Sequence, residues 1–222
     1  MRGISSGVIF LMALGMGTLG MFLCAHARRK RFLLRTSECA LFIVLLTTVG
    51  VMGTKVLFAA ENGFKAWNGV SFFGSVFLIP VLMPVVGKLF RQKAGMTMDI
   101  CAPCVAIMIG CMRVGCFLTG CCGGRTACIG NLCFVWPTQA IESILDFAIL
   151  GILLQWEEQK KLAGGLYPMF MLFYSAMRFF IEFLRDTPKD MLCLSYGQWY
   201  SLAAILVAGV WITALKRKGR QA

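Results

Sequence analysis

The sequence predicts an all-α polytopic membrane protein of about seven transmembrane helices, with the N-terminus outside and the C-terminus cytoplasmic. Three observations carry this prediction. Of 222 residues, 59% are hydrophobic and 14% charged, with a mean hydropathy of +0.77, whereas soluble domains are about a quarter charged. Apolar runs near the ~20 residues needed to cross a hydrocarbon core recur along the chain, parted by short polar stretches. Lys and Arg collect in alternate connections. Disorder is excluded, because a chain this apolar has ample surface to bury. A net charge of +12 would point to nucleic acid in a soluble protein. Here the basic residues sit in particular loops and set membrane orientation, so no nucleic-acid partner is expected.

The spans follow in order, near 5–25, 36–58, 69–90, 97–118, 137–156, 165–185 and 197–215. The first is too long for a secretory leader, its basic cluster follows it, and no small-x-small site closes it, so it reads as a retained helix. Cys24 follows Met21-Phe22-Leu23, whose bulk does not suit a lipoprotein cleavage site. Arg28, Arg29, Lys30, Arg31 and Arg35 follow span 1, and Lys88, Arg91 and Lys93 follow span 3. Lys160 and Lys161 follow span 5, and Lys216, Arg217, Lys218 and Arg220 follow span 7. Those fourteen face one side; Arg2, Lys65, Arg125, Arg185 and Lys189 are the five on the other, and Lys55, Arg113 and Arg178 fall within spans. The richer side is cytoplasmic. The 24 Gly and 6 Pro suit packed transmembrane helices, where small residues let backbones approach. No repeat or linker divides the chain, so 1–222 reads as one transmembrane domain with a short Gly/Cys-rich outward loop, 119–136.

Ionisable residues at membrane depth are costly and usually functional. Arg113, Glu142, Asp146, Arg178 and Glu182 lie within spans and Arg185 closes one. Arg113 is ~8 Å below the outer end of span 4 at 1.5 Å per residue, and Glu142 lies at a similar depth in span 5. Arg178, Glu182 and Arg185 occupy the last two turns of span 6, so all converge on the outer half of the bilayer. Their i, i+4, i+7 spacing puts them on one helical face. Glu142 and Asp146, also four apart, must face arginines, polar groups or water. One reading is a structural ion-pair network joining three helices. The other is a phosphate site, in which arginines grip the anion in bidentate fashion and the acids hold their rotamers.

Cysteines crowd 101–133. Cys101-x-x-Cys104 has metal-like spacing but sits inside an apolar helix without a second ligand pair, where cysteine acts as a small hydrophobe. No metal and no cofactor are expected. Cys121, Cys122, Cys128 and Cys133 lie on the outward loop, where disulfides are possible in pairings the sequence leaves open. His26 flanks the basic inner loop, on the side away from the charged cluster.

Five segments, in order, carry a resemblance. The stretch Arg113-Val-Gly-Cys-Phe-Leu-Thr-Gly-Cys-Cys-Gly-Gly-Arg125 resembles the signature of the prolipoprotein diacylglyceryl transferase family. Gly69-Val-Ser-Phe-Phe-Gly74 is similar to its Gly-x-Ser-Phe-His-Gly turn, and Trp136-Pro-Thr-Gln-Ala-Ile-Glu142 to its His-Pro-x-Gln-x-x-Glu helix entry. Arg178-Phe-Phe-Ile-Glu182-Phe-Leu-Arg185 resembles its Arg-x-x-x-Glu-x-x-Arg helix, and Ser195-Tyr-Gly-Gln198 its Ser-x-Gly-Gln opening of the last span. The resemblance runs from about 69 to 215, and the seven-span, N-out topology agrees with the family.

The resemblance implies a multi-pass enzyme of the bacterial cytoplasmic (inner) membrane. It would move the diacylglyceryl group of phosphatidylglycerol to the thiol of a lipobox cysteine in an exported precursor, releasing glycerol phosphate. Its partners would be phosphatidylglycerol, that precursor protein and the membrane. By the same resemblance Arg113, Arg178 and Glu182 are the catalytic set, the arginines binding phosphate and stabilising charge on the leaving group. Glu142 and Arg185 would position them, with Arg125 also counted in the substrate-binding set. Gly115, Gly120, Gly123 and Gly124 would let the loop backbone approach the headgroup. Four positions depart from the family. Phe73 stands where the family has histidine, and Cys116, Thr119 and Cys121 where it commonly has Asn, Asn and Glu. Two other functions remain open: a divergent relative that binds anionic phospholipid without chemistry, and a small-anion transporter whose buried charges line an ion path.

Overall fold

The computed structural model describes residues 6–129, 132–159, 164–187 and 193–221. Arg2, Lys160, Lys161 and Lys189 of the charge count lie outside the described residues, as do Gly130 and Asn131 in the 119–136 loop. The described chain forms α1 (Ser6–Ala27), α2 (Thr36–Glu61), α3 (Phe72–Leu89), α4 (Ala94–Thr119), β1 (Thr126–Ile129), β2 (Leu132–Val135), α5 (Thr138–Glu158), α6 (Leu166–Ile181) and α7 (Tyr196–Gln221).

Six of these helices are long and apolar enough to cross a membrane. The remaining one, α6, has 16 residues and continues into a 3-10 turn, Glu182–Leu184. At about 1.5 Å per helical residue and ~2 Å per 3-10 residue, the two together reach nearly 30 Å, the thickness of a hydrocarbon core. The sequence reads one helix over 165–185; the structure tightens its final turn at the residues that carry charge.

The central element is α4, which packs against α1, α3, α5 and α6. Apart from Asp99 and Arg113 it is apolar around most of its circumference, as suits a helix buried on all sides, and residues 97–107 are buried without interruption. Small residues set the approach of its neighbours. A side chain at Gly74 would overlap the carbonyl of Gly53, which places the α2 and α3 backbones in contact. Pro80 and Pro84 lie inside α3 and Pro103 inside α4, tolerated because neighbouring groups satisfy freed carbonyls in packed membrane helices.

The two ends of the bundle carry different polar networks. At one end Arg28 pairs with Glu157 at 2.7 Å and donates to the Asp99 carbonyl at 2.8 Å, while the Asp99 carboxylate accepts from the Gly164 and Leu166 amides at 2.7 and 3.0 Å. That carboxylate satisfies orphan N–H groups at the start of α6. The opposite end holds the 119–136 loop, and here the structure adds what the sequence did not predict. Residues 126–129 and 132–135 pair as an antiparallel hairpin, Thr126 opposite Val135 and Cys128 opposite Cys133, and a Cys128–Cys133 disulfide ties the two strands together.

Candidate active site

The charged residues of α4, α5 and α6 meet at the hairpin end. Glu142 is fully buried and is the hub. Its Oε1 accepts from Arg178 Nη1 at 2.8 Å and faces Arg185 Nη1 at 3.7 Å, and its Oε2 pairs with Arg113 Nε. Side-chain exposures of 4% for Arg113, 9% for Arg178 and 12% for Arg185 show the three guanidiniums gathered out of solvent. Arg178 reaches a second carboxylate, Glu182 Oε2, at 3.2 Å, the i, i+4 contact the α6 spacing predicts. Three cations thus face two ion-paired anions. A buried pair of this kind contributes little net stability, because desolvation offsets the attraction; what it does is hold guanidinium planes in fixed orientation.

The acids are held in turn. Glu182 Oε1 accepts from Thr187 and Ser195 hydroxyls, each at 3.0 Å. Ser195 is positioned by Gln198, whose Oε1 accepts from the Ser195 amide at 3.1 Å. Gly197 leaves room for that carboxylate: a Cβ there would lie 3.2 Å from the Glu182 carboxyl carbon. The Ser195-Tyr-Gly-Gln198 opening of α7 is therefore a clasp on Glu182, and Thr187, Ser195 and Gln198 are site residues that sequence reasoning left out of the candidate set. The motif's position was visible; its target on another helix was not.

The Arg113 guanidinium also lies over the Phe72 ring, 4.7 Å from its centroid, a cation–π contact. Phe72 lines an apolar cavity of about 120 Å³ with Leu14, Leu46, Val51, Ile79 and Met108. Phe73, in the position where histidine was noted above, is buried among the rings of Phe77, Tyr174 and Tyr200, with centroids at 6.1, 5.7 and 5.9 Å. The polar groups of this nest are the Tyr174 and Tyr200 hydroxyls, the latter hydrogen-bonded to Glu61. Below the hub, the carboxyl oxygens of Asp146 and the hydroxyls of Tyr174 and Ser175 are buried and have no hydrogen-bond partner among the described residues.

The loop closes over this cluster. Gly120 ends α4 in the left-handed region (φ 68°), which glycine adopts without penalty, and Cys122 sits there too (φ 59°), at about 1–2 kcal/mol for a residue with a side chain. The reversed chain is pinned by its carbonyls. Gln139 Nε2 donates to Cys121 O at 2.6 Å, Thr138 Oγ1 to Cys122 O at 3.4 Å, and Arg185 Nη2 to Cys122 O at 2.9 Å. The thiols of Cys116, Cys121 and Cys122 consequently converge, with their sulfurs all within 4.8 Å of one another. The Cys122 thiol is shifted below its ordinary pKa, first by the hydrogen bond from Cys116, against burial, and then by that from Cys121 and the charges of Arg185 and Arg113.

Not every expected residue faces the cluster. Gly115 turns toward α1, where a Cβ would meet Ala13 Cβ at 2.7 Å, so its small size serves helix packing there. Gly124 packs the loop against the end of α6, with a Cβ there 2.6 Å from Leu184 O. Arg125 joins through its backbone, its amide donating to Leu184 O at 2.8 Å, while its exposed side chain enters none of the ion pairs.

Comparison with known proteins gives the family of the chain. A phosphatidylglycerol–prolipoprotein diacylglyceryl transferase 2 of Clostridium perfringens is 39% identical over 219 residues, covering 83% of this chain and 82% of the relative. The phosphatidylglycerol–prolipoprotein diacylglyceryl transferase of Methylobacillus flagellatus is 33% identical over 169 residues, 68% of this chain and 63% of its own length. That of Mannheimia succiniciproducens is 31% identical over 153 residues, 64% and 57% respectively. The chain thus spans most of the first relative and less than two thirds of the other two. A family model described as prolipoprotein diacylglyceryl transferase matches residues 7–214, nearly the whole helical bundle, and the chain belongs to that family.

Proposed function

We propose that the protein transfers the diacylglyceryl group of phosphatidylglycerol to a cysteine thiol of an exported prolipoprotein, the lipobox cysteine, at the outer leaflet of the bacterial cytoplasmic membrane. The observation that carries this reading is the gathering of Arg113, Arg178 and Arg185 on the one buried carboxylate of Glu142. A guanidinium presents planar paired donors that match a phosphate, and three of them converge here on Glu142, with Arg178 also on Glu182. In the reaction the thiolate sulfur attacks the glycerol carbon that bears the phosphate ester. The C–O bond breaks with its electron pair moving to the phosphate oxygen, and glycerol phosphate leaves. Arg113 and Arg178 neutralise that growing charge; Glu142, Glu182 and Arg185 fix their planes. The apolar cavity beside Phe72 suits lipid tails while the headgroup sits at Arg113. The unpartnered Asp146, Tyr174 and Ser175 groups lie where water or the substrate's hydroxyls would satisfy them.

The Cys128–Cys133 disulfide supports an outward orientation of this end, because disulfides persist in oxidising compartments, and the basic loops at the other end support the same direction. The 1–222 chain acts as one transmembrane domain in this reading. The test is intact-mass analysis of a lipobox peptide incubated with the protein and phosphatidylglycerol. The expected product carries one diacylglyceryl thioether, and an unmodified peptide under all conditions refutes the reading. Phe73 favours one second reading, a relative that binds anionic phospholipid without chemistry, since a phenyl ring at that position accepts no proton.

A further inference from the structure

The geometry points to a thiolate zinc site formed by Cys116, Cys121 and Cys122, whose open fourth position takes the acceptor thiol and supplies the ionisation for which Phe73 offers no base. The three sulfurs lie within 4.8 Å of one another, and tetrahedral zinc with Zn–S bonds of ~2.3 Å needs S···S separations of about 3.8 Å. Small side-chain rotations close that difference. The surrounding groups already do what an outer shell does, fixing ligands in place. The Thr119 hydroxyl lies 3.3 Å from Cys121 Sγ and 3.0 and 3.1 Å from the Gly115 and Cys116 carbonyls, and the carbonyls of Cys121 and Cys122 are held by Gln139 and Arg185. Cys116 is buried, whereas Cys121 and Cys122 are exposed, so the fourth position faces outward, where an acceptor arrives. Three protein ligands with one open site is the arrangement of catalytic rather than structural zinc.

Zinc with three thiolates would carry −1 and a fourth thiolate would make it −2; Arg185, which touches both the Cys122 carbonyl and the Glu142 hub, lies beside that charge and offsets part of it. The same arginine thereby joins the thiol cluster to the phosphate cluster. The chemistry rests on the transfer reading above. The acceptor thiol gives its proton to solvent on coordination, since a thiol that binds zinc is deprotonated outright. Its sulfur then attacks the glycerol carbon, the C–O bond breaks toward the phosphate, and the thioether, a neutral and weak ligand, leaves the metal. The sequence pointed instead at Cys101-x-x-Cys104 and set metal aside. The spacing of Cys116 to Cys121 and Cys122 has no signature, and only the left-handed turn at Gly120 brings them together.

The test uses full-length protein purified in reductant, stripped of metal and titrated with zinc alone, with cobalt as a spectral probe. One equivalent per chain should bind, with thiolate-to-cobalt charge transfer and tetrahedral visible bands. Cys116→Ser and Cys122→Ser should each weaken binding by at least the ~100-fold that loss of an outer-shell partner alone can cause, while Cys104→Ala leaves it intact. A cysteine peptide should shift the cobalt spectrum and its serine counterpart should not. Failure to bind one equivalent, loss of binding in Cys104→Ala instead of Cys122→Ser, or a disulfide among the three thiols in protein isolated without reductant each overturns the site. Metal binding is read without any transfer assay. Zinc bound with no transfer at any pH refutes the transfer reading and leaves the metal site standing, whereas undiminished transfer by stripped protein overturns the metal's role.

Discussion

Glu142→Gln is the substitution the geometry bears on most directly. The change keeps volume and shape but turns one carboxylate oxygen into an amide that only donates. Whichever way the amide faces, a guanidinium meets an N–H group: Arg113 on the Oε2 side, Arg178 and Arg185 on the Oε1 side. The residue is fully buried, so water cannot replace the lost charge. Removing one partner of a buried pair costs about 3–5 kcal/mol, most of it the desolvated charge left behind. For a chain of this length that corresponds to roughly 6–20 °C in Tm. Arg185→Gln sets the internal scale: its contact with Glu142 is 3.7 Å, against 2.8 Å for Arg178, so its removal should cost less than that of the hub. Thermal unfolding in detergent measures both, and transfer to a lipobox peptide should fall by about 100-fold in Glu142→Gln, since ~1 Å of misplacement costs that much. A loss of stability below about 1 kcal/mol in Glu142→Gln, or one smaller than that of Arg185→Gln, refutes the hub assignment.

The other predictions concern single contacts. Arg113→Lys and Arg178→Lys should each lower transfer by about 100-fold with folding retained, because a point charge cannot hold a phosphate in bidentate fashion; near-normal turnover in both removes the phosphate clamp. Gly197→Ala should lower transfer about tenfold, less than a full 1 Å displacement would, with Tm unchanged, since its Cβ presses on the Glu182 carboxylate at 3.2 Å; a purely structural clasp would move Tm instead. Gly74→Ala drives a methyl into the Gly53 carbonyl and should cost about 1–3 kcal/mol, read as a drop in Tm without a change in the pH profile. In metal-stripped protein the acceptor thiol must ionise unaided, so transfer should climb about tenfold per pH unit and level off near its ordinary pKa of ~8.5. Phe73→His should raise it more at neutral than at alkaline pH, and equal acceleration at both would show that the imidazole acts by packing rather than as a base.

Hydropathy and helical period are properties of one segment, and they were legible. The spans near 5–25, 36–58 and 97–118 correspond to α1, α2 and α4 within a few residues. The shared face of Arg178, Glu182 and Arg185 follows from spacing alone, and the Arg178–Glu182 pair forms as that spacing requires. The convergence of Arg113 with Glu142 was expected from depth along the membrane normal, which span order and direction supply. Depth is one coordinate. It said which residues share a level and left open which of them touch.

Rotation about each helix axis was decided by the tertiary structure. In water an apolar stripe marks the buried side of a helix, but lipid is as apolar as a protein core, so hydropathy does not say which side of a membrane helix turns inward. That is why Gly115, two residues from Arg113, could be read as lining the headgroup site when it packs on Ala13. The same blindness hid Glu142 as the meeting point of three arginines and the α7 opening as the clasp on Glu182. The hairpin and the thiol cluster were hidden for another reason: they follow a turn with two left-handed residues, Gly120 and Cys122, that folds the loop back over the helix it has just left. The sequence alone determined how many helices there are, about where each runs along the chain and which charges share a level of the bundle; packing of small residues and the closure of one turn determined which of those groups meet.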